Sequence, residues 1–248
     1  MILVFYAFLG LIFGSFFNVV ILRTHGRETL GGRSKCFFCQ KILHWFEMVP
    51  LASFLFQGGR CRSCGLKISR QYPLVEIASA LIFVCSGIKA ANWVEFLFLA
   101  AAGSALLIIF VYDLKYLEIP DGFIFFPLVI LLILGWSGGA KFYFLSFLGA
   151  LAAAGFFGLQ FLISRGRWIG AGDITLGLLL GVILGWPKIL LALFLSYVGG
   201  ALISLLLIGL KKKNWKSQMP FGVFLAPAAW LVLFLGDKMI AWYLHLFL

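Results

Sequence analysis

The sequence predicts an all-α polytopic membrane protein, with about eight transmembrane helices and a small polar insertion between the first two. Three observations predict it. Hydrophobic residues make up 63% of the 248-residue chain and charged residues only 12%, roughly half the charged share of an ordinary soluble domain. Apolar runs recur along the chain at lengths near the ~20 residues that cross a hydrocarbon core. One long polar stretch, residues 23–73, interrupts them and holds four of the five cysteines.

The first span is residues 1–22. It is apolar from Ile2 to Leu22, without a basic leading region or a small-residue cleavage site, so it reads as a retained helix. The polar segment 23–73 follows. The remainder, 74–248, reads as a transmembrane core with spans near 74–91, 95–112, 123–137, 142–164, 174–186, 188–210 and 221–246. The apolar run from Ala171 to Leu210 is long enough for two crossings, and Gly185-Trp186-Pro187-Lys188 divides it as a turn. Pro227, Asp237 and Lys238 lie within the last span.

Charge sets the sidedness. The net charge is +11, from 20 Lys+Arg against 9 Asp+Glu. With eight spans and both ends outside, the cytoplasmic segments hold the nine basic residues of 23–73, then Lys115, Arg165, Arg167, Lys211, Lys212, Lys213 and Lys216. Only Lys89, Lys141, Lys188 and Lys238 fall outside. Basic residues gather on the cytoplasmic side of membrane proteins, and adding or losing a span would spoil this split. The positive charge is therefore topology and attraction to anionic membrane lipids, with no call for nucleic acid as a partner. Glycines within the spans, such as Gly199-Gly200, point to close helix packing.

The polar segment reads Cys36-Phe-Phe-Cys39, then 21 residues, then Cys61-Arg-Ser-Cys64. Each CxxC turn presents two thiolates to one ion, and two such turns complete a tetrahedral S4 site suited to Zn²⁺. Cytoplasmic thiols stay reduced, which argues against disulfides; a redox or unmetallated role is the alternative. Four thiolates leave no open coordination position, so the zinc is structural and folds a segment too small to build its own core. His25 and His44 read as solvated loop residues, and Cys85 as a packed apolar residue in a span.

Acids are few, and those at the edge of spans are functional candidates by default. Asp113 ends the third span, and Asp173 starts the sixth within Gly170-Ala171-Gly172-Asp173. Topology puts both at one depth on one side. Two converging aspartates share a proton, one acting as a base toward water and the other as an acid toward a leaving group. Gly170 and Gly172 allow the close approach that aims the carboxylate. The plainer alternative is that Asp173 caps a helix and Asp113 is an interfacial charge. Asp121, after Pro120, resembles an N-cap of the fourth span and is the second candidate for the first acid. Glu118 reads as a solvated loop charge.

The ordered set of motifs resembles the bacterial type IV prepilin peptidases, membrane aspartic proteases of the GxGD kind, over nearly the whole chain. The matching residues are Gly14-Ser-Phe-Phe-Asn18, both CxxC pairs, Ile68-Ser-Arg70-Gln-Tyr72-Pro-Leu-Val-Glu76, Asp113 with Ile119-Pro-Asp121, the GxGD at 170–173, and Pro220-Phe-Gly222. The resemblance implies cleavage of a basic leader from prepilins or pseudopilins of type IV pili or type II secretion. The cut falls after a glycine, at the cytoplasmic face of the bacterial inner membrane. It also implies methylation of the new N-terminus from S-adenosylmethionine in members that carry the four-cysteine segment. It maps the catalytic pair to Asp113 and Asp173. Thr175 stands where the family commonly has lysine. Glu47-Met-Val-Pro-Leu is a looser version of the family's Asn-Ile-Pro-x-Leu. Candidates for the methyl-donor or substrate site are Asn18, Glu47, Arg70, Tyr72 and Glu76; as a structural alternative, Arg70 and Glu76 pair with other surface charges. Presenilin-type and archaeal preflagellin peptidases also use GxGD, but the four-cysteine insertion argues against them. Two alternatives stand: a peptidase without methyltransferase activity, and a non-enzymatic membrane scaffold stabilised by zinc.

Overall fold

A computed structural model describes residues 1–214 and 219–247. Lys216, one of the expected cytoplasmic charges, lies outside the described residues. The described residues are helical, with no strand beyond two isolated antiparallel bridges, Lys35 to Ile42 and Arg60 to Lys67. They divide into two compact units, Met1–Lys89 and Ala90–Leu248.

The first unit is a helix pair with an elaborate link. Helix α1 (Ile2–His25) packs along α3 (Gln71–Lys89), and between them lie a 3-10 turn at Trp45–Glu47 and the short α2 (Ala52–Phe56). Two glycines allow the pairing. A Cβ on Gly10 would sit 2.5 Å from Ala80 Cα, and one on Gly14 would sit 2.7 Å from Glu76 Cα. The two backbones therefore touch, as in small-residue membrane helix contacts. Arg23, expected only as a topological charge, closes the turn after α1. Its guanidinium donates to the carbonyls of Thr29, Leu30, Gly31 and Arg33.

The second unit holds α4 (Trp93–Tyr116), α5 (Gly122–Leu134), α6 (Gly139–Ser164), α7 (Ala171–Leu184), α8 (Lys188–Gly209) and α9 (Gly222–Phe247), with a 3-10 turn at Gly135–Gly138. Asn92 starts α4 as its N-cap, its side chain accepting from the Glu95 N–H at 2.9 Å. The core is apolar side chains from α4 to α9, with Leu106, Ile109, Phe157, Leu179 and Leu225 almost wholly out of contact with the surroundings. Helix α7 is buried along most of its length, wedged against α6, where Gly149 and Gly181 bring the backbones together. Ser146 of α6 donates to the Val182 carbonyl at 3.1 Å and Trp186 N–H to the Leu145 carbonyl at 3.0 Å, fixing the register. Lys188 at the start of α8 pairs with Asp237 of α9 at 2.8 Å. Helix α9 continues through Asp237 and Lys238 to Phe247.

Six helical stretches are long and apolar enough to cross a bilayer, against the eight spans expected. The difference has two sources. By length and composition Gly122–Ser164 is one stretch of 43 residues. Its backbone is nonetheless broken by the 3-10 turn and by Gly139 at φ +62°, and α5 and α6 meet again where the Tyr143 hydroxyl donates to the Leu132 carbonyl at 3.0 Å. Helix α7 has 14 residues, below the length of the other six stretches.

Candidate active site

Three helix ends meet around the two aspartates. Asp113 lies in the last turn of α4, which stops where Leu117 turns left-handed at φ +58° and donates back to the Asp113 carbonyl at 3.0 Å. Asp173 lies in the first turn of α7. Between them comes the start of α9, whose first amides, Gly222 and Val223, face the Asp113 carboxylate. First-turn N–H groups have no partner within their own helix, so an acid side chain suits that place. Asp113 is only 5% exposed, yet its Oδ2 has no hydrogen-bond partner among the described residues. The Asp173 charge acts on it through space. A buried carboxylate oxygen left without a bond is costly in a purely structural residue and useful in a reactive one.

Gly222 walls the acid. A Cβ there would lie 2.7 Å from Asp113 Oδ2, so any other residue displaces the carboxylate. The sequence offered Gly222 only as part of a Pro-Phe-Gly motif, with no role attached. Asp173 shows the capping bond that the plainer reading expected. Its Oδ2 accepts from the Gly170 N–H at 3.1 Å, which steadies the start of α7, and its other oxygen is not used in that bond. Gly172 is open, with nothing near the place a side chain would occupy. Thr175, at the usual lysine position, turns its hydroxyl back to the Gly172 carbonyl at 3.0 Å. Asp121 takes the N-cap position of α5 but makes no capping bond and is exposed. Glu118 is exposed too, and hydrogen-bonds Tyr112.

The four cysteines of the first unit converge. Their sulfurs all lie within 4.8 Å of one another, and Cys36 Sγ is 3.9 Å from Cys64 Sγ. Zn–S bonds of about 2.3 Å in a tetrahedron require sulfurs about 3.8 Å apart, so the donor set fits zinc. The two turns are built alike. Cys36 N–H donates to the Lys41 carbonyl and Cys61 N–H to Leu66, and the residue after each second cysteine, Gln40 or Gly65, turns left-handed. The N–H groups of Cys64 and Ser63 hold the Cys61 thiol down at about 6, while Cys64, against the pull of the Leu66 N–H, is pushed up to about 11 by burial and the other cysteine sulfurs, so Cys61 is the first of the pair to become a thiolate. His44 stacks on Phe46 instead of joining the sulfurs.

Asn18, Tyr72 and Glu76 come together where α1 meets the start of α3. The Asn18 amide donates to the carbonyls of Gly14 and Tyr72, and its oxygen accepts from Gln71. Glu76 accepts the Leu51 N–H at 2.8 Å and also bonds Ser15; Glu47 accepts the His44 N–H at 2.9 Å. Glu76 thus holds backbone in place of the surface charge expected for it. Arg70 is exposed. Asn18, Glu47 and Glu76 have polar atoms engaged by the chain itself.

Comparison with known proteins accounts for both units. Residues 8–90 match the bacterial peptidase A24 N-terminal domain, and residues 99–205 match the type IV leader peptidase family. The chain is 31% identical over 238 residues to a prepilin leader peptidase/N-methyltransferase of Bacillus subtilis, covering 96% of each protein. The chain belongs to the type IV leader peptidase family. Among further members, the prepilin leader peptidase/N-methyltransferase of Pseudomonas aeruginosa is 32% identical over 278 residues, covering 96% of this chain and 91% of the relative. That of Aeromonas hydrophila is 34% identical over 229 residues, covering 87% and 76%. No solved structure matches. The first family region, 8–90, spans most of the first compact unit, and the second, 99–205, lies within the second unit and ends before α9. The cysteines fall in the N-terminal domain, and Asp113 and Asp173 fall in the leader peptidase region.

Proposed function

We propose that this chain is a membrane aspartic endopeptidase that removes the basic leader of type IV prepilins or pseudopilins, cutting after a glycine at the cytoplasmic face of the inner membrane. The observation that carries the reading is the Asp113 carboxylate, buried, walled by Gly222, with an unused oxygen and Asp173 acting on it. It stands in a chain aligned over 96% of its length with a prepilin leader peptidase/N-methyltransferase. One carboxylate takes a proton from water, whose oxygen joins the scissile carbonyl carbon. The other acid gives its proton to the departing nitrogen as the C–N bond breaks. The products are a glycine carboxylate on the leader and a free amine on the pilin.

The relatives' names also support N-methylation of that amine, for which S-adenosylmethionine supplies the methyl group. Asn18, Glu47, Arg70, Tyr72 and Glu76 stay candidates for holding the methyl donor or the substrate, with no step assigned to any of them. Structural Zn²⁺ held by Cys36, Cys39, Cys61 and Cys64 would fix the segment that carries Glu47. The membrane arrangement proposed is eight crossings with both ends outside. Within the second unit it is supported by parity: α4 ends, α7 begins and α9 begins at one place.

Mass spectrometry of a prepilin's N-terminus tests the whole reading. Purified chain in lipid is incubated with a prepilin, with and without S-adenosylmethionine. Leader loss with one added methyl is expected. Leader loss alone makes the chain a peptidase only, and no cleavage of several prepilins by folded, zinc-loaded protein overturns the proposal in favour of a scaffold.

A further inference from the structure

A tyrosine on α8 packs against Phe221, the residue before Gly222. The Tyr197 hydroxyl donates to Gln160 Oε1 of α6 at 3.0 Å. Its ring lies 5.0 Å from Phe221 and 5.6 Å from Phe156, centroid to centroid. Phe221 immediately precedes Gly222, which touches Asp113, while the Tyr197 side chain and Asp173 act on each other through space. Tyr197 and Gln160 are both partly accessible, so the pair is reachable on the flank between α6 and α8. A polar pair is thus anchored on aromatic rings, partly accessible between two helices, on the side where Phe221 leads into Gly222.

The chemistry at such a flank makes a specific demand. A peptide bond inside a helix is closed to water by its own hydrogen bonds and side chains, so a substrate cut at the membrane edge must be extended there. Unwinding frees N–H and C=O groups, and each left unbonded away from water costs several kcal/mol. The pair offers both complements. The phenol oxygen retains lone pairs to accept, and the glutamine amide has N–H donors beyond the bond to Tyr197.

We propose that Tyr197 and Gln160 are positioning residues that hydrogen-bond the unwound main chain of the substrate as it enters between α6 and α8. This rests on Asp113 and Asp173 being the hydrolytic pair. The competing role is a brace tying α6 to α8.

The test compares Tyr197→Phe, Gln160→Leu and Asp173→Asn with the unaltered chain in lipid. The substrates are a peptide spanning a basic leader and the start of an apolar helix, and a set of its analogues. In each analogue an ester replaces one amide flanking the scissile bond, removing a single N–H. Tyr197→Phe keeps the ring packing and removes only the hydroxyl. Both pair variants are expected to lower kcat/KM on the all-amide peptide about tenfold. At one ester position the Tyr197→Phe penalty disappears, because the bond to the phenol oxygen is already gone. An equal Tyr197→Phe penalty on every substrate marks a brace and overturns the proposal, as does an unchanged kcat/KM in either pair variant. Asp173→Asn separates the two levels: full activity in that variant refutes the hydrolytic pair itself, whereas its inactivity alongside an unaffected Tyr197→Phe refutes the positioning pair alone.

Discussion

Asp113 and Asp173 reach the site from opposite directions, one at the end of a helix and one at the start of another. Replacing either with asparagine keeps the shape and removes the proton chemistry, so cleavage of a prepilin should fall about 10³-fold or more. Full activity in either variant, read by gel shift of the pilin, would refute the pair. Gly222→Ala makes a sharper test, since it changes no ionisable group. Its methyl group would displace the Asp113 carboxylate, and a misplacement near 1 Å costs about 100-fold in rate. Unimpaired cleavage by Gly222→Ala would show that Asp113 need not occupy the position seen here. Both acids were legible in the sequence, because acids are scarce in this chain and stand at span edges. Gly222 and Tyr197 were not. Their importance comes from contacts between distant parts of the chain, and a tyrosine in an apolar helix carries no mark of its neighbours.

Among the elements, the four-cysteine segment behaved as its spacing implied, and two like turns bring the sulfurs within bonding range of one ion. Replacing Cys36 and Cys39 with serine should abolish zinc uptake, measured by elemental analysis. It should also harm methylation more than cleavage, because the acids belong to the other compact unit. Equal loss of both activities would contradict this. Acid should release the metal by the same route. Protons compete with the ion for the four thiolates, so zinc content measured over a falling pH series should drop. The 3-10 turn and α2 within this segment were not legible, since Glu47 and Glu76 build them by capping backbone groups that local pattern does not reveal. The α6–α7 contact is the other element-scale device. Gly181→Val would drive a side chain into the Gly149–Ala150 backbone. It should destabilise the protein by about 1–3 kcal/mol, seen as a lower thermal midpoint in detergent. An unchanged midpoint would mean the helices separate freely there.

For the molecule as a whole, composition alone excluded a soluble fold, and the apolar runs located all the long helices. The crossing count was less legible. Hydropathy measures length, and it does not register a backbone break such as that at Gly135–Gly139. Sidedness rests on the basic residues, so it has its own test. Single cysteines at Lys141 and at Arg167, in a chain whose Cys85 is replaced and whose zinc cysteines are metal-loaded, should react with an impermeant thiol reagent from opposite sides of intact cells. Labelling of both from one side would require an odd number of crossings fewer or more between them.

The shortness of α7 has a consequence for the water that the reaction consumes. Fourteen residues give a helix about 21 Å long, roughly 9 Å less than a hydrocarbon core. In the proposed eight-crossing arrangement, with its far end at the opposite surface, α7 would leave Asp173 below the near surface, in a recess walled by the longer helices. Such a dimple would bring bulk solvent down to the carboxylates while the longer helices keep their full thickness in contact with acyl chains. A membrane-embedded hydrolase of this form needs no separate channel for its second substrate.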